Sequence, residues 1–284
     1  MPQQTPKTVK IFLINGEPDG LRTVELSNWV GQAIIIPRNK LRDVKNRNEC
    51  GKPSIYFLIG KETEDLEPAV YIGEADMLYN RLFDHDMNKD FWNVAIAFVS
   101  KDNNLTKAHV KYLESRCLSL ATRAKRYEIK NGKESSLSSL PEADIAEMEE
   151  FLHNLQLLLA SLGFPILQEI ISKEQTDIDD PLLVCEGKNV KATGRMTNEG
   201  FVVYKDSTAT SNISKAVKDR NIKIIDRLIS GGYVKSTPIG YEFIKDFVFN
   251  SPSAASDIVL GNSTSGWELW KTTDGKKMRE VYEK

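Results

Sequence analysis

From residue 9 to residue 99 the apolar positions come in short runs cut by turn formers. The run at 9–14 is stopped by Asn15-Gly16 and the run at 32–36 ends at Pro37, so both predict strands. Residues 54–59 and 70–72 are β-rich in the same way. Between 91 and 99, Trp92, Val94, Ile96 and Phe98 alternate with smaller residues, which suits a strand covered on both faces. A helix is expected over 76–85, and two longer helices follow. In the first, Thr106 is the expected N-cap, and Val110, Leu113, Cys117, Leu120, Ala121 and Ala124 recur at helical spacing. In the second, Ile145, Met148, Leu152, Leu155, Leu159 and Leu162 form the apolar stripe, which Gly163 and Pro165 end.

Beyond residue 173 the pattern changes. Residues 173–181 hold few apolar side chains and end in proline, which reads as a linker. After it a strand is expected over 201–205, a helix over 221–230 closed by Gly231-Gly232, and one further strand over 241–249. Ser251-Pro252 supplies the N-cap and first residue of a short helix closed by Gly261. Asp274-Gly275, after Trp267 and Trp270, marks a hairpin turn. The order of elements predicts an α+β fold: residues 1–50 as an N-terminal β-rich extension, 51–172 as a small sheet flanked by helices, 173–190 as an acidic linker, and 191–284 as a separate small α+β domain.

The 284 residues carry 38 Lys and Arg against 40 Asp and Glu, a formal charge of −2. That balance excludes a protein that coats nucleic acid by bulk positive charge, so any such site has to be a local patch. No apolar run approaches the ~20 residues needed to span a bilayer. The first ten residues lack the apolar core of a secretion signal, so a cytoplasmic protein without membrane contact is expected. Cys50, Cys117 and Cys185 are odd in number and far apart, which excludes a CxxC site and argues against a disulfide scaffold. Charge comes in blocks: nine basic against four acidic residues over 101–134, ten acidic against Lys173 alone over 141–180, and ten basic against five acidic over 181–235. Such blocks are as readily solvated faces as binding surfaces.

Four features between residues 51 and 131 carry candidate chemistry. Ser54-Ile55-Tyr56 lies inside one predicted strand, and Tyr71-Ile72-Gly73 ends the next. Arg81 and His85 stand four apart in the helix expected over 76–85, which puts a guanidinium and an imidazole on one face. Glu114 falls in the apolar stripe of the first long helix, with Val110 four before it and Cys117 three after. A carboxylate there is costly unless it meets a cation. Each feature alone has an ordinary explanation: strand tyrosines pack, helical Arg/His pairs are solvated, and a glutamate at a stripe pairs or snorkels. His109 and His153 have no supporting neighbours and are read as structural.

Together the features say more. Two tyrosine tripeptides lie fifteen residues apart, and Arg-x-x-x-His begins ten residues after the second tyrosine. A helical glutamate follows about thirty residues later, and Asn131 lies in a downstream loop. As a set, residues 51–131 resemble the GIY-YIG endonuclease family, with one departure: Ser54 stands where the first Gly of the family name falls. Residues 29–38 and the helix ending at Leu162 are similar to the larger, multi-domain bacterial branch. Residues 191–284 are similar to a small domain of unknown function often fused to such nucleases, through Ser251-Pro252-Ser253-Ala254-Ala255 and Gly266-Trp267-Glu268-Leu269-Trp270.

The resemblance implies hydrolysis of nucleic-acid phosphodiesters, double-stranded DNA first among them. It implies Tyr56, Tyr71, Arg81, His85, Glu114 and Asn131 as catalytic residues and one Mg²⁺ or Mn²⁺ on Glu114. A lone carboxylate has too few ligands for a two-metal clamp, whereas a single Mg²⁺ keeps several waters and takes a further ligand from the phosphate. Arg81 suits bidentate contact with that phosphate. By resemblance Tyr56 is the base for the attacking water, with Tyr71 orienting the water or a phosphate oxygen. A free phenol titrates near ~10 and is a poor base unless cations lower it; His85 could instead accept the proton with Tyr56 as relay. Lys107, Lys111 and Arg116 flank Glu114 and are the expected phosphate-gripping residues.

Two other readings stay open, a non-catalytic nucleic-acid-binding or assembly module on the same fold and an RNA-directed nuclease. The C-terminal domain either binds DNA, which needs Lys215, Lys218, Arg220 and Lys223 on one surface, or docks on a protein partner with Trp267 and Trp270 as packing residues.

Overall fold

The apolar runs of the first half pair into one seven-stranded sheet. Its strands are β1 (Val9–Leu13), β2 (Arg22–Leu26), β3 (Gly31–Pro37), β4 (Ser54–Gly60), β5 (Ala69–Ala75), β6 (Trp92–Ser100) and β7 (Glu128–Ile129), in the spatial order β1-β2-β3-β6-β4-β5-β7. Neighbours run antiparallel except β5 and β7. The computed structural model describes residues 6–61, 68–132, 139–170 and 180–282. The sheet belongs to the first of the two units into which the chain divides, Met1–Glu169 and Ile170–Lys284. The architecture is mixed α+β.

The β-rich residues 1–50 extend this same sheet through β1, β2 and β3. Ala33, Ile34, Ile35 and Ile36 are consecutive and all buried, so β3 needs cover on both faces. It finds that cover as an inner strand of the sheet, with Ala33 and Ile35 in the core on one face and Ile34 and Ile36 in the core on the other, and it pairs with β6 from Gly31↔Ser100 to Pro37↔Val94. β2, with two charged residues among five, gives no strand signal on its own and is held by its neighbours.

β4 is buried at every position because both faces of the sheet are covered. On one face Ile55, Phe57 and Ile59 join Val110, Leu113 and Cys117 of α2 (Lys107–Ala124) and Leu152, Leu155 and Leu159 of α3 (Glu142–Ser161). On the other, Tyr56 and Leu58 pack with Leu78 and Leu82 of α1 (Leu78–Asn88), and with Leu41 and Val44 of a 3-10 turn at Arg38–Val44. Arg38 ties that turn down: it pairs with Asp86 of α1 at 2.7 Å and donates to the carbonyls of Asp90 and Trp92. Thr106 caps α2, its side chain accepting from the His109 N–H while His109 Nδ1 accepts the Thr106 N–H. His109 thus has a structural role as the reciprocal half of a capping box. α3 ends at Gly163, whose φ of +84° favours glycine.

In the C-terminal unit β8 (Leu183–Gly187), β9 (Val190–Thr197), β10 (Gly200–Val203), β11 (Thr208–Thr210), α4 (Lys218–Ser230), β12 (Val234–Thr237), β13 (Gly240–Phe243), β14 (Phe247–Phe249), α5 (Pro252–Leu260), α6 (Gly266–Leu269), β15 (Lys271–Thr272) and α7 (Met278–Tyr282) follow in order. They build a sheet β14-β10-β9-β8-β15 and a second sheet β11-β13-β12. Two expectations are corrected. The linker does not reach residue 190, because β8 pairs with β9 from Leu183↔Gly194 to Gly187↔Val190, with Leu183 and Cys185 buried; residues 171–179 lie outside the described residues. The single strand over 241–249 is two, one in each sheet. Asp246 breaks it by accepting the Lys205 N–H at 2.7 Å, and the Ile244 N–H turns to the Tyr233 carbonyl. Trp270 is fully buried against Phe201, its indole N–H on the Pro252 carbonyl at 2.9 Å, so it fills the core. Ser251 caps α5 through the Ala254 N–H, and Gly261 closes it at φ +70°.

Candidate active site

Pairing of β4 with β5 sets Tyr56 opposite Gly73 and Leu58 opposite Tyr71. Tyr71 and Gly73, two apart, project to the face that Tyr56 occupies. This diagonal is the geometric meaning of the fifteen-residue spacing, and it leaves the two rings 6.3 Å apart. α1 then lays His85 on the pair: Tyr56 Oη and His85 Nε2 are 2.8 Å apart, and the His85 and Tyr71 rings are 4.9 Å apart. One turn earlier on the helix, Arg81 Nε donates to Tyr56 Oη at 3.3 Å. One turn later, Lys89 lies 4.4 Å over the Tyr71 ring, a cation–π contact. Lys89 is a site residue that the motif did not name; its signal was the spacing Arg81, His85, Lys89.

Gly73 is the floor of this arrangement. A Cβ there would stand 2.6 Å from Tyr56 Cζ and 2.9 Å from the Tyr71 ring, inside van der Waals contact. Its φ is ordinary, so close approach is what requires glycine here. Ser54, at the departure from the family pattern, is fully buried two residues before Tyr56, and its hydroxyl has no hydrogen-bond partner among the described residues. β4 accepts serine at that position at a cost of about 1–3 kcal/mol for the unmet hydroxyl.

Burial pushes the Tyr56 phenol up, and Tyr71 adds to the rise; the Arg81 hydrogen bond opposes both, and the Glu114 charge raises it again. Glu114 on α2 is therefore within electrostatic reach of Tyr56. It is half-buried, as expected for a carboxylate interrupting an apolar stripe. His85 is 5% exposed. Burial first, then Arg81 and Lys89, pull its imidazole down to about 4, so it is neutral at pH 7. Arginine can only donate, so Tyr56 Oη accepts from Arg81, and its contact with His85 Nε2 runs in the direction set by the His85 tautomer.

The remaining candidates fall in different places. Asn131 Nδ2 donates to the Ile72 carbonyl at 2.6 Å, and its Oδ1 accepts the Ile72 N–H at 3.0 Å. It continues the sheet beyond β7 like one strand residue, and so acts as a positioning residue on the backbone between Tyr71 and Gly73. Lys107 and Lys111, seven and three before Glu114, share its face of α2. Lys107 is exposed and pairs with Asp76 at the entry to α1, 2.6 Å away. Arg116 is a correction. Two residues past Glu114 it points to the far side of the helix, where it grips Glu149 of α3 by Nε (2.6 Å) and a terminal nitrogen (2.9 Å). Lys133 and Glu134 of the basic stretch lie outside the described residues.

Among the described residues no three His, Cys, Asp or Glu side chains gather into a metal cluster. The donor set beside Tyr56 is the hard oxygen pair of Glu114. That fits a magnesium-like cation keeping most of its water, and does not fit a zinc site of nitrogen and sulfur ligands.

In the C-terminal unit, Lys218 and Arg220 lie two apart on α4 and so on opposite sides of it. Arg220 pairs with Asp257 of α5. Lys215, Lys218, Arg220 and Lys223 thus form no single cationic face.

The N-terminal unit is defined by its α+β fold and this cluster, in which Tyr56 and His85 are buried and Arg81 is exposed. Residues 183–282, in the C-terminal unit, match the model of a domain of unknown function, DUF4357. No curated protein and no solved structure matches the chain. No helix among the described residues is long and apolar enough to cross a membrane.

Proposed function

We propose that the N-terminal unit is a metal-dependent endonuclease of the GIY-YIG type, hydrolysing phosphodiesters of nucleic acid and of double-stranded DNA in particular. The observation that carries this reading is that Tyr56 Oη meets both Arg81 Nε–H and His85 Nε2, within electrostatic reach of Glu114.

The raised phenol favours a relay over a standing phenolate. As the water oxygen bonds to phosphorus and the bond from phosphorus to the departing oxygen breaks, the water proton passes to Tyr56 Oη while the Tyr56 proton moves to His85 Nε2, with His85 in its Nδ1–H tautomer; the departing oxygen takes its proton from solvent. Arg81, already donating to Oη, balances charge on the phosphoryl oxygens. A divalent ion on Glu114 supplies, when bound, positive charge at the scissile phosphate and the departing oxygen. A phosphodiester against Arg81 offsets the cations that depress His85, so its basicity rises when substrate arrives. For the C-terminal unit we assign a docking role toward a protein partner, since its α4 cations share no face.

Plasmid nicking at low salt with Mg²⁺ or Mn²⁺ tests the reading, with EDTA as control. Wild type should nick, and Tyr56→Phe, which keeps the ring and removes the relay, should lose about 10²–10⁴-fold in rate with DNA binding retained. A fully active Tyr56→Phe makes another residue the base. A wild type that binds DNA without cutting it leaves the non-catalytic module, and cutting of RNA alone changes the substrate. The pH profile is a separate check. His85 must be neutral to accept, so the acid limb of kcat/KM should lie near pH 4, below the ~6.5 of an ordinary imidazole. An acid limb that is unchanged in His85→Gln removes His85 as the acceptor.

A further inference from the structure

Next to α1 lies a cleft of about 720 Å³ that the motif does not include; Lys45, Asn46, Arg47, Asn48, Lys52 and Asn80 line it. We propose that this cleft is the track for the phosphate backbone of duplex DNA leading to the cut, an inference that rests on the endonuclease reading above.

Its charge is one-signed. Residues 38–52 hold six basic residues against Asp43 and Glu49. Arg38 is taken by Asp86 and Lys40 by Glu17, while Lys45, Arg47 and Lys52 face the cleft and no acid lines it among the described residues. Lys45 is exposed and makes no ion pair among the described residues. Arg47 shares one terminal nitrogen with Glu49 at 2.7 Å, and Lys52 shares its ammonium with the Ser100 carbonyl at 3.1 Å; each keeps further donors for an anion. The asparagine amides add neutral donors of the kind that position a backbone without reading sequence. The opposite wall is the start of α1, with Met77 and Tyr79. Met77 makes no side-chain cap bond at the start of this helix.

The cleft and the site share α1 and the approach to β4: Asn80, which lines the cleft, directly precedes Arg81. Lys52 is four residues before Tyr56 along the chain that becomes β4, so the two lie within about 13 Å. At about 3.4 Å per nucleotide of one strand, that is about four nucleotides from the cut.

The test is binding of the full chain to a 30-base-pair duplex in EDTA, where nothing is cut, over a range of salt. Each lost phosphate contact lowers the log–log salt slope by about 0.9. Lys45→Gln/Lys52→Gln should therefore lose about 1.8 in slope and bind about 60-fold more weakly at 0.1 M salt. If the double variant melts early, Lys45→Gln alone, an exposed change, should lose about 0.9. Lys215→Gln/Lys223→Gln, equal in charge and in the other unit, should change the affinity by less than about threefold; an equal loss there would mean bulk charge and overturn the cleft. Unchanged slope and Kd in the cleft variants, with wild type bound, overturn the cleft and leave the endonuclease reading standing. A wild type that binds no duplex DNA overturns both, and tighter binding to duplex RNA of the same length overturns the choice of DNA.

Discussion

Glu114→Ala should abolish cleavage, by at least about 10³-fold or about 4 kcal/mol of barrier, while leaving DNA binding and fold nearly unchanged. Three observations combine here. Glu114 is half-buried in the α2 stripe, its charge reaches Tyr56, and no cluster of three ligating side chains offers a substitute among the described residues. Structurally the change is mild, since alanine suits a helix and fills the stripe. Loss of rate with an unshifted melting temperature would separate chemistry from folding. Glu114→Gln sharpens the result: it keeps size and polarity and removes the charge, so it should be nearly as inactive. A Glu114→Ala protein that nicks at the wild-type rate would remove the metal ligand from the proposal.

Gly73→Ala should lower kcat about 10²-fold without removing any group that takes part in the chemistry. The added methyl would sit 2.6 Å from Tyr56 Cζ, and Tyr56 is fully buried. The ring has to shift by something like an ångström, which for a reacting group costs about that factor. A stability loss of about 1–3 kcal/mol accompanies the overpacking. The discriminating readout is KM against kcat: a displaced relay lowers kcat with KM little changed, whereas general unfolding lowers the active fraction and the far-UV signal together. Activity within threefold of wild type would show that Oη position is not limiting.

The sequence made the site more legible than the fold around it. Tyr56 and Tyr71 could be read together because adjacent antiparallel strands turn a fifteen-residue spacing into a diagonal contact, and Arg81 with His85 because helical geometry is local. Gly73 was visible only as a letter of a tripeptide; its reason is an atom on the neighbouring strand. Arg116 was misread because proximity in sequence to Glu114 stood in for direction, and two residues on a helix point to opposite sides. The basic cleft escaped for a related reason: Lys45 and Lys52 come from short 3-10 turns with no periodic signature. The strand expected over 241–249 failed at Asp246, whose hydrogen bond to the Lys205 backbone lies 41 residues away in sequence.

β6 has a consequence for the order in which the molecule acquires its parts. The β4–β5 hairpin can close early, since its partners are near in sequence. But Tyr56 also faces Ala97 of β6, and β6 in turn must pair with β3, whose residues left the ribosome about sixty positions before it. Until β6 lies between β3 and β4, one edge of β4 is unpaired and Tyr56 lacks its neighbour Ala97. The site therefore needs a strand synthesised after the hairpin that carries the two tyrosines.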